Sequence, residues 1–391
     1  MSRDSAQRYD AFAIAAPGLE SLVAEELSNL GIRKHETIEG GVEFTATRRQ
    51  LYEANLHLRT ASRIIVRLAK FRALTFAELE KRARKIPWEL VLAPGERVAL
   101  RVTCRKSRLY HSGAVAERLE RDLVARFNAV VSRSSPDEDV AGTQPVGSQL
   151  IIVRFDHDRC TVSADSSGAL LHQRGYRTSI TRAPVRETLA AALVLVSEWD
   201  RTSPFIDPFC GSGTIPIEAA LIAANIAPGK NRQFRFMQWP GYDSVEWQRT
   251  HSSAVKRENL IALPNISGSD SNAGAIRAAN ENATRAGVAA HVQFERLNAL
   301  RMDPGNEAGW LVSNPPYGVR LGEPDEAQRL MLEFSRRLRE RFPGWRVTLI
   351  ASSEMHRIPG LAVAPSLHTT NGGLRVQVLS GTVPATGATG N

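Results

Sequence analysis

Cysteine is scarce, with three in 391 residues. Cys104, Cys160 and Cys210 lie far apart and form no Cys-x-x-Cys pair, which excludes a disulfide framework and a zinc site of the usual Cys/His spacing. No apolar run approaches the ~20 residues needed to span a membrane. The stretch from Met1 to Asp10 is polar and lacks the apolar region of a secretion signal. These absences predict a protein of the reducing cytoplasm, with no membrane and no metal. Acidic residues are also in short supply: Asp and Glu number 41 against 50 Lys and Arg, a net charge of +9. That balance favours a polyanionic partner, nucleic acid or an anionic membrane surface.

What is present is enough apolar sequence for real cores, 42% of residues, in a chain long enough for two or three domains. Tyr9–Ala15 reads as a strand. Leu19, Leu22, Val23, Leu27 and Leu30 then recur at helical spacing up to Gly31. A strand at Val42–Phe44 and an amphipathic segment through Leu51, Ala54 and Leu58 complete a small ferredoxin-like α+β unit, residues 1–56. A second unit, 57–167, alternates strands (Ser62–Leu68, Arg97–Val102, Leu150–Phe155, Thr161–Ala164) with helices at Thr75–Lys85 and His111–Val131. Ser132–Ser148 reads as a surface loop within it. This unit is rich in cations with few acids between them, Arg63, Arg67, Arg101, Arg105, Lys106 and Arg108 among them. They read as phosphate contacts, the alternative being a solvated surface.

From about Gly168 the pattern changes to helices alternating with short apolar strands, the sign of a doubly wound, mostly parallel sheet over 168–391. Strands are expected at Phe205-Ile206, Asn265–Ser269, Val292–Phe294, Trp310–Val312 and Trp345–Ala351. A hairpin turning at Asn371-Gly372-Gly373 closes the pattern. In such sheets ligands bind beyond the carboxyl ends of the strands. The first of these strands runs into a loop with Gly211 and Gly213, which lets backbone approach a ligand. Pro216 stands where a dinucleotide fingerprint has its third glycine, which argues against that reading. The second strand ends at Asp270, an acceptor for both hydroxyls of a ribose. The third is followed by Asn298, a partner for an adenine edge. The fourth ends in Ser313-Asn314-Pro315-Pro316-Tyr317-Gly318. Proline holds this turn extended, so the Asn314 side chain and the Pro315 carbonyl can accept hydrogen bonds from one planar amino group, with Tyr317 on the ring that bears it. Cys210, inside the glycine loop, reads as packing and not as a nucleophile. The stretch Lys230–Trp247 mixes cations with aromatics, Arg235 and Trp239 among them. It suits an unpaired strand or, alternatively, a cover over the sheet edge.

The run Asp207–Ile215 with Glu218-Ala219-Ala220, together with Ser313–Gly318, resembles the THUMP-containing RNA guanine-N2 methyltransferases. Gly175-Tyr176-Arg177, Ala183–Ala190, Phe234-Arg235-Phe236 and Trp239-Pro240 match the same family. The resemblance implies a ferredoxin-like unit, a THUMP RNA-binding domain over 57–167 and a catalytic domain using S-adenosylmethionine (SAM). It adds Asp207 to the cofactor contacts, and one departure from the family is Asn298, where Asp is frequent. It also implies methylation of a guanosine N2 amine in structured RNA by a monomer. Large-subunit (23S) ribosomal RNA is the expected target, with tRNA as the alternative. DNA adenine-N6 methylation and a non-catalytic RNA-binding factor with a relic SAM site stay open.

Overall fold

The computed structural model describes residues 7–134, 147–177, 185–305, 307–316, 324–353, 358 and 360–384. The chain divides into two compact units. The first comprises Met1–Ile14, Ala24–Leu171 and Arg232–Ser252; the second comprises Ala15–Val23, His172–Asn231 and Ser253–Asn391. Among the described residues no helix is long and apolar enough to cross a membrane.

In the first unit the order is β1 (Arg8–Ala15), the end of α1 (Glu20–Asn29), β2 (His35–Ile38), β3 (Gly41–Thr47), α2 (Arg48–His57), β4 (Ala61–Arg72), α3 (Phe76–Ala83), β5 (Arg97–Arg105), α4 (Ser112–Phe127), β6 (Val130–Ser134), β7 (Gln149–Asp156) and β8 (Arg159–Asp165). All eight strands form one sheet in the order β2-β3-β1-β4-β8-β7-β5-β6. The two N-terminal domains expected from the sequence, 1–56 and 57–167, therefore share a sheet across the β1–β4 pair. Local signals set the elements. Thr47 accepts the Gln50 N–H while the Gln50 side chain accepts the Thr47 N–H, a reciprocal cap that starts α2. Asn128 ends α4 in the left-handed conformation at φ +51°, which Asn tolerates better than most residues. The helix expected to reach Val131 thus stops early, and the β-branched Val130-Val131 pair forms an edge strand parallel to β5. Of the expected Ser132–Ser148 loop, 135–146 lie outside the described residues.

The segment Arg232–Ser252 belongs to this first unit. Phe236 stacks on Tyr52 with ring centroids 4.4 Å apart, and Trp247 meets Tyr52, Phe234 and Phe236 edge-on.

The second unit contains α5 (Glu187–Val196), β9 (Phe205–Asp207), α6 (Thr214–Ala223), the end of α7 (Ser244–Lys256), β10 (Ile266–Asp270), α8 (Ala273–Ala286), β11 (Val292–Arg296), β12 (Trp310–Ser313), α9 (Pro324–Arg341), β13 (Arg346–Ser352), β14 (Ala362–Asn371) and β15 (Leu374–Thr382). The strand order is β11-β10-β9-β12-β13-β15-β14. The first five strands are parallel; β15 runs antiparallel to β13 and pairs with β14 in a hairpin. This is the expected doubly wound sheet with its terminal hairpin. The turn residues are Gly372 and Gly373, both at positive φ (+57° and +85°), as a two-residue hairpin loop demands. Phe334 and Leu338 of α9 are fully buried with Leu311, Val347 and Leu349, whereas Leu332 is 46% exposed. Asn272 caps the start of α8 and Gly287 ends it at φ +75°. Chain order reverses between β9 and β12, which puts the topological switch point at their carboxyl ends.

Candidate active site

The β9 strand ends in Asp207, and the loop that follows turns sharply into α6. Gly213 sits at φ +79° as the residue before that helix, and a Cβ there would lie 2.7 Å from Phe294 Cζ and 3.0 Å from Ala279 Cβ. It is glycine because α8 and β11 leave no room. Gly211, at φ +52°, has nothing within 4 Å of a notional Cβ, so its bare backbone borders open space. The two glycines therefore divide the work: one allows close packing, the other an approach to a ligand.

Asp270 closes β10 and is half-buried. Its Oδ2 accepts the Gly211 N–H at 3.1 Å and its Oδ1 accepts the Asn272 N–H at 2.8 Å. Each carboxylate oxygen keeps a second lone pair, so a diol can still be bound while the same acid fixes the glycine loop. Asn298, exposed after β11, begins the short 3-10 helix Ala299–Arg301 by accepting the Leu300 N–H at 2.9 Å. Its amide oxygen likewise retains one lone pair.

Asp207, expected to touch the cofactor, is 1% exposed and turned inward. It accepts the Ser313 hydroxyl and the Phe209 N–H, tying the end of β9 to the end of β12 across the switch point. Burial pushes its carboxyl up to about 7 and the Asp270 charge adds to the rise, against the two donors that favour the ionised form. Its place is to position the turn. Burial also drives the Cys210 thiol well above its ordinary value, with Asp207 and Asp270 adding to the effect. A thiol held protonated in this way is a packing group, as expected.

Asn314 follows Ser313 directly. Its Oδ1 is buried and accepts no hydrogen bond among the described residues. Pro315 is buried and Pro316 half-buried. Tyr317 lies outside the described residues, as do Ala183 and Pro184 of the Ala183–Ala190 motif. Among the described residues no three His, Cys, Asp or Glu side chains group to hold a metal ion.

Several supporting residues carried no role in the sequence reading. Glu218, fully buried in α6, meets the Arg174 guanidinium at 2.9 Å and accepts the Tyr176 hydroxyl at 3.0 Å. Arg177 reaches the Val185 carbonyl and Glu187, which steadies the start of α5. Asn282 of α8 donates to the Ser212 carbonyl at 2.9 Å and so holds the glycine loop from below. A lone acid in the otherwise apolar run Thr214–Ala223 was the legible signal for this network.

The expected phosphate contacts divide. Arg63 is 1% exposed, paired with Asp165 and donating to the Gly168 carbonyl at 2.8 Å. Arg101 is also buried. Arg235 is enclosed by Glu96 at 2.7 Å, Gln149 and the Gly147 carbonyl, and Trp239 donates to the same Gln149 oxygen at 2.8 Å. These four hold the first unit together and present no group to a nucleic acid. Arg67 is partly buried and pairs with Glu43, while Arg105, Lys106 and Arg108 are exposed.

A parallel sheet with an antiparallel terminal hairpin, a glycine loop and an acid at consecutive strand ends, and Asn-Pro-Pro at the switch point together define a Rossmann-like methyltransferase domain. Residues 174–359 match the RMKL-like methyltransferase domain, and residues 10–65 match the RlmL ferredoxin-like domain. The chain is 32% identical over 371 residues to a putative RNA methyltransferase of Synechocystis sp., covering 94% of this chain and 95% of that protein. It is 35% identical over 382 residues to the ribosomal RNA large subunit methyltransferase K/L of Syntrophotalea carbinolica, covering 94% of this chain and 53% of that protein. The chain thus spans about half the length of that relative. Among solved structures, a putative methyltransferase complexed with SAH superposes with a TM-score of 0.83 at 29% identity, over 96% of this chain and 98% of the other. A protein described as a predicted N6-adenine-specific DNA methylase from Listeria monocytogenes gives 0.79 at 35% identity, over 89% and 90%. The chain belongs to the RMKL-like methyltransferase family.

Proposed function

We propose that the chain transfers the methyl group of SAM to the N2 amine of a guanosine in large-subunit ribosomal RNA. The observation that carries this reading is Asn314 Oδ1, a buried acceptor with no partner among the described residues, at the switch point of a methyltransferase sheet. A buried unpaired acceptor costs about 1–3 kcal/mol, and an amine donor relieves that cost. Bound SAM supplies an already activated methyl, so the residues of this chain mainly position and stabilise charge. Asn314 Oδ1 and the Pro315 carbonyl accept hydrogen bonds from the two amine N–H groups, aim the nitrogen lone pair and stabilise its developing positive charge, and the proton released on methylation passes to solvent. Tyr317 stacks on the base. Gly211 lets the loop approach the cofactor, Asp270 accepts its ribose hydroxyls and Asn298 meets its adenine. A base within a duplex is extruded first.

RNA as substrate is supported by the names of the two relatives, and ribosomal RNA by that of the second. Guanine N2 is supported by the likeness of the Ala183–Ala190 and Phe234–Pro240 segments to the guanine-N2 enzymes. Residues 57–167 act as the THUMP RNA-binding domain, with Arg67, Arg105, Lys106 and Arg108 as phosphate contacts, and the chain works as a monomer.

The test supplies the pure chain with methyl-labelled SAM and, in separate reactions, protein-free large-subunit RNA, total unmodified tRNA and unmethylated DNA. Nucleoside mass spectrometry then identifies the product. N2-methylguanosine in the ribosomal RNA is the expected result. Label in tRNA alone overturns the choice of RNA. N6-methyladenine in DNA supports the second reading, which the name of the Listeria protein favours.

A further inference from the structure

Strand register in the first unit assembles an apron of cations on one side of the sheet. Arg105 of β5, Asp156 of β7, Arg159 of β8 and Arg72 of β4 are direct partners across four neighbouring strands. Two residues back along the strands lie Thr103, Arg154, Thr161 and Lys70, again in register. Successive side chains alternate between faces, so both rows project to the same side. The row between them projects to the other side, where Phe155 and Cys160 are fully buried. The cationic side is open: the Arg154 side chain is 61% exposed and that of Arg72 is 70% exposed.

Past β5 the chain continues through Lys106, Ser107 and Arg108 to Tyr110. This loop is pinned beside the apron. The Ser107 hydroxyl accepts the Asp158 N–H at 2.9 Å, and the Arg108 N–H donates to Asp158 Oδ1 at 2.7 Å. Leu109 is buried, which leaves Tyr110 turned outward and 78% exposed. Two carboxylates temper the charge. Asp156 stands 3.9 Å from Arg154 and Asp158 stands 3.9 Å from Arg72. At that distance and exposure such pairs are weak, so the guanidinium groups remain available to a stronger anion. A solvent-facing aromatic ring on an anchored loop beside a field of cations matches what an unpaired nucleic-acid strand uses: phosphate contact plus base stacking.

We propose that this apron and Tyr110 form a docking site for single-stranded RNA, with phosphates at Arg72, Arg105, Arg154 and Arg159 and an unpaired base stacked on Tyr110. The site rests on the RNA-methyltransferase reading and adds a substrate class to it, RNA carrying an unpaired segment near the target. A uniform duplex offers phosphates but no free base face, so it engages the apron and not the ring.

Fluorescence anisotropy of the full chain with a short unstructured RNA, and with an RNA duplex of the same length, tests this across a range of salt. Arg154→Ala with Arg159→Ala weakens both probes and lowers the slope of log affinity against log salt by about 1–2. Tyr110→Ala weakens the single strand by about tenfold and leaves the duplex unchanged, and Tyr110→Trp restores binding. An unchanged single-strand affinity in Tyr110→Ala, or an equal loss on duplex, overturns the stacking site. An unchanged salt slope in the double variant overturns the apron. A wild-type chain that binds neither probe, or binds only phosphatidylglycerol vesicles, overturns the RNA reading itself and this site with it. These exposed positions leave thermal stability unchanged, which separates lost binding from lost fold.

Discussion

In the second unit the groups proposed to act sit at strand ends, and in the first they sit on strand faces. Parallel strands β9, β10 and β12 bring Gly211, Asp270 and Asn314 to one side of the sheet, with Asn298 just beyond β11. Their side chains along the strands are consumed by packing against helices on both faces. A reaction needs a few groups at one point, and strand ends at a switch point supply that. The outer rows of β4, β5, β7 and β8 leave one face in water, and alternation there gathers Lys70, Arg72, Arg105, Arg154 and Arg159 around the single acid Asp156. Phosphate capture needs area, and a half-exposed sheet supplies it. The same contrast sorts the arginines. Arg63, Arg101 and Arg235 lie inside as structural cations, whereas Arg72 and Arg154 lie outside.

The sharpest way to break this contrast is Arg63→Met. It strands the Asp165 carboxylate in the interior, so the first unit should lose about 3–5 kcal/mol in urea unfolding. A loss below about 1 kcal/mol, the scale of surface pairs, would erase the distinction between inner and outer arginines. Next in size is Asn314→Ala, expected to slow methyl transfer by roughly 100-fold or more while SAM affinity by calorimetry holds. Near-normal turnover would return the Asn-Pro-Pro turn to an ordinary loop.

The Asp207–Ser313 tie can be read by pH. The folded carboxyl titrates at about 7, above its unfolded value near ~3.9, so the native state holds the extra proton between those values. Stability contributed by this group is present in acid and is lost as pH rises toward 7. Asp207→Asn should flatten that dependence. Unfolding midpoints near pH ~5 and ~8 that shift equally in wild type and variant would show that the carboxyl is not buried as described. Asp270→Ala should weaken SAM binding by about 1–3 kcal/mol, since a ribose loses its acceptor and Gly211 loses its anchor. Unchanged affinity in the folded variant would remove Asp270 from the cofactor site. The smallest effect belongs to Arg154→Ala, within about 0.5 kcal/mol of wild type in stability. A larger loss would mean that the apron, too, is structural.

Much of the second unit was legible in the sequence. Its strands are short apolar runs bounded by Gly, Asp or Asn, and the groups at their ends stand in chain order. Gly287 and the Gly372-Gly373 pair fix their turns by local chemistry alone. Burial of individual charges was not legible. Arg63 follows Ser62 and precedes Ile64, as a surface arginine on a strand would, but its partner Asp165 is 102 residues away. Arg235 and Trp239 read as an RNA-facing pair because cations and aromatics alternate there. Their partners, Glu96 just before β5 and Gln149 at the start of β7, lie far upstream, and no local pattern announces them. Asp207 was misplaced for a related reason: a strand-end acid at a glycine loop faces a ligand or a neighbouring strand with equal ease, and Ser313 decided the matter.

The return of Arg232–Ser252 to the first unit sets an order of events during synthesis. Gln149 and Glu96 leave the ribosome well before Arg235 and Trp239, with the whole His172–Asn231 stretch still to be made. At ~5–20 residues per second that delay lasts seconds, long compared with local folding. Through that interval the N-terminal sheet lacks its last buried cation, and the Tyr52 ring lacks its stacking partner Phe236. The nascent chain therefore carries an unfinished domain ahead of a growing one.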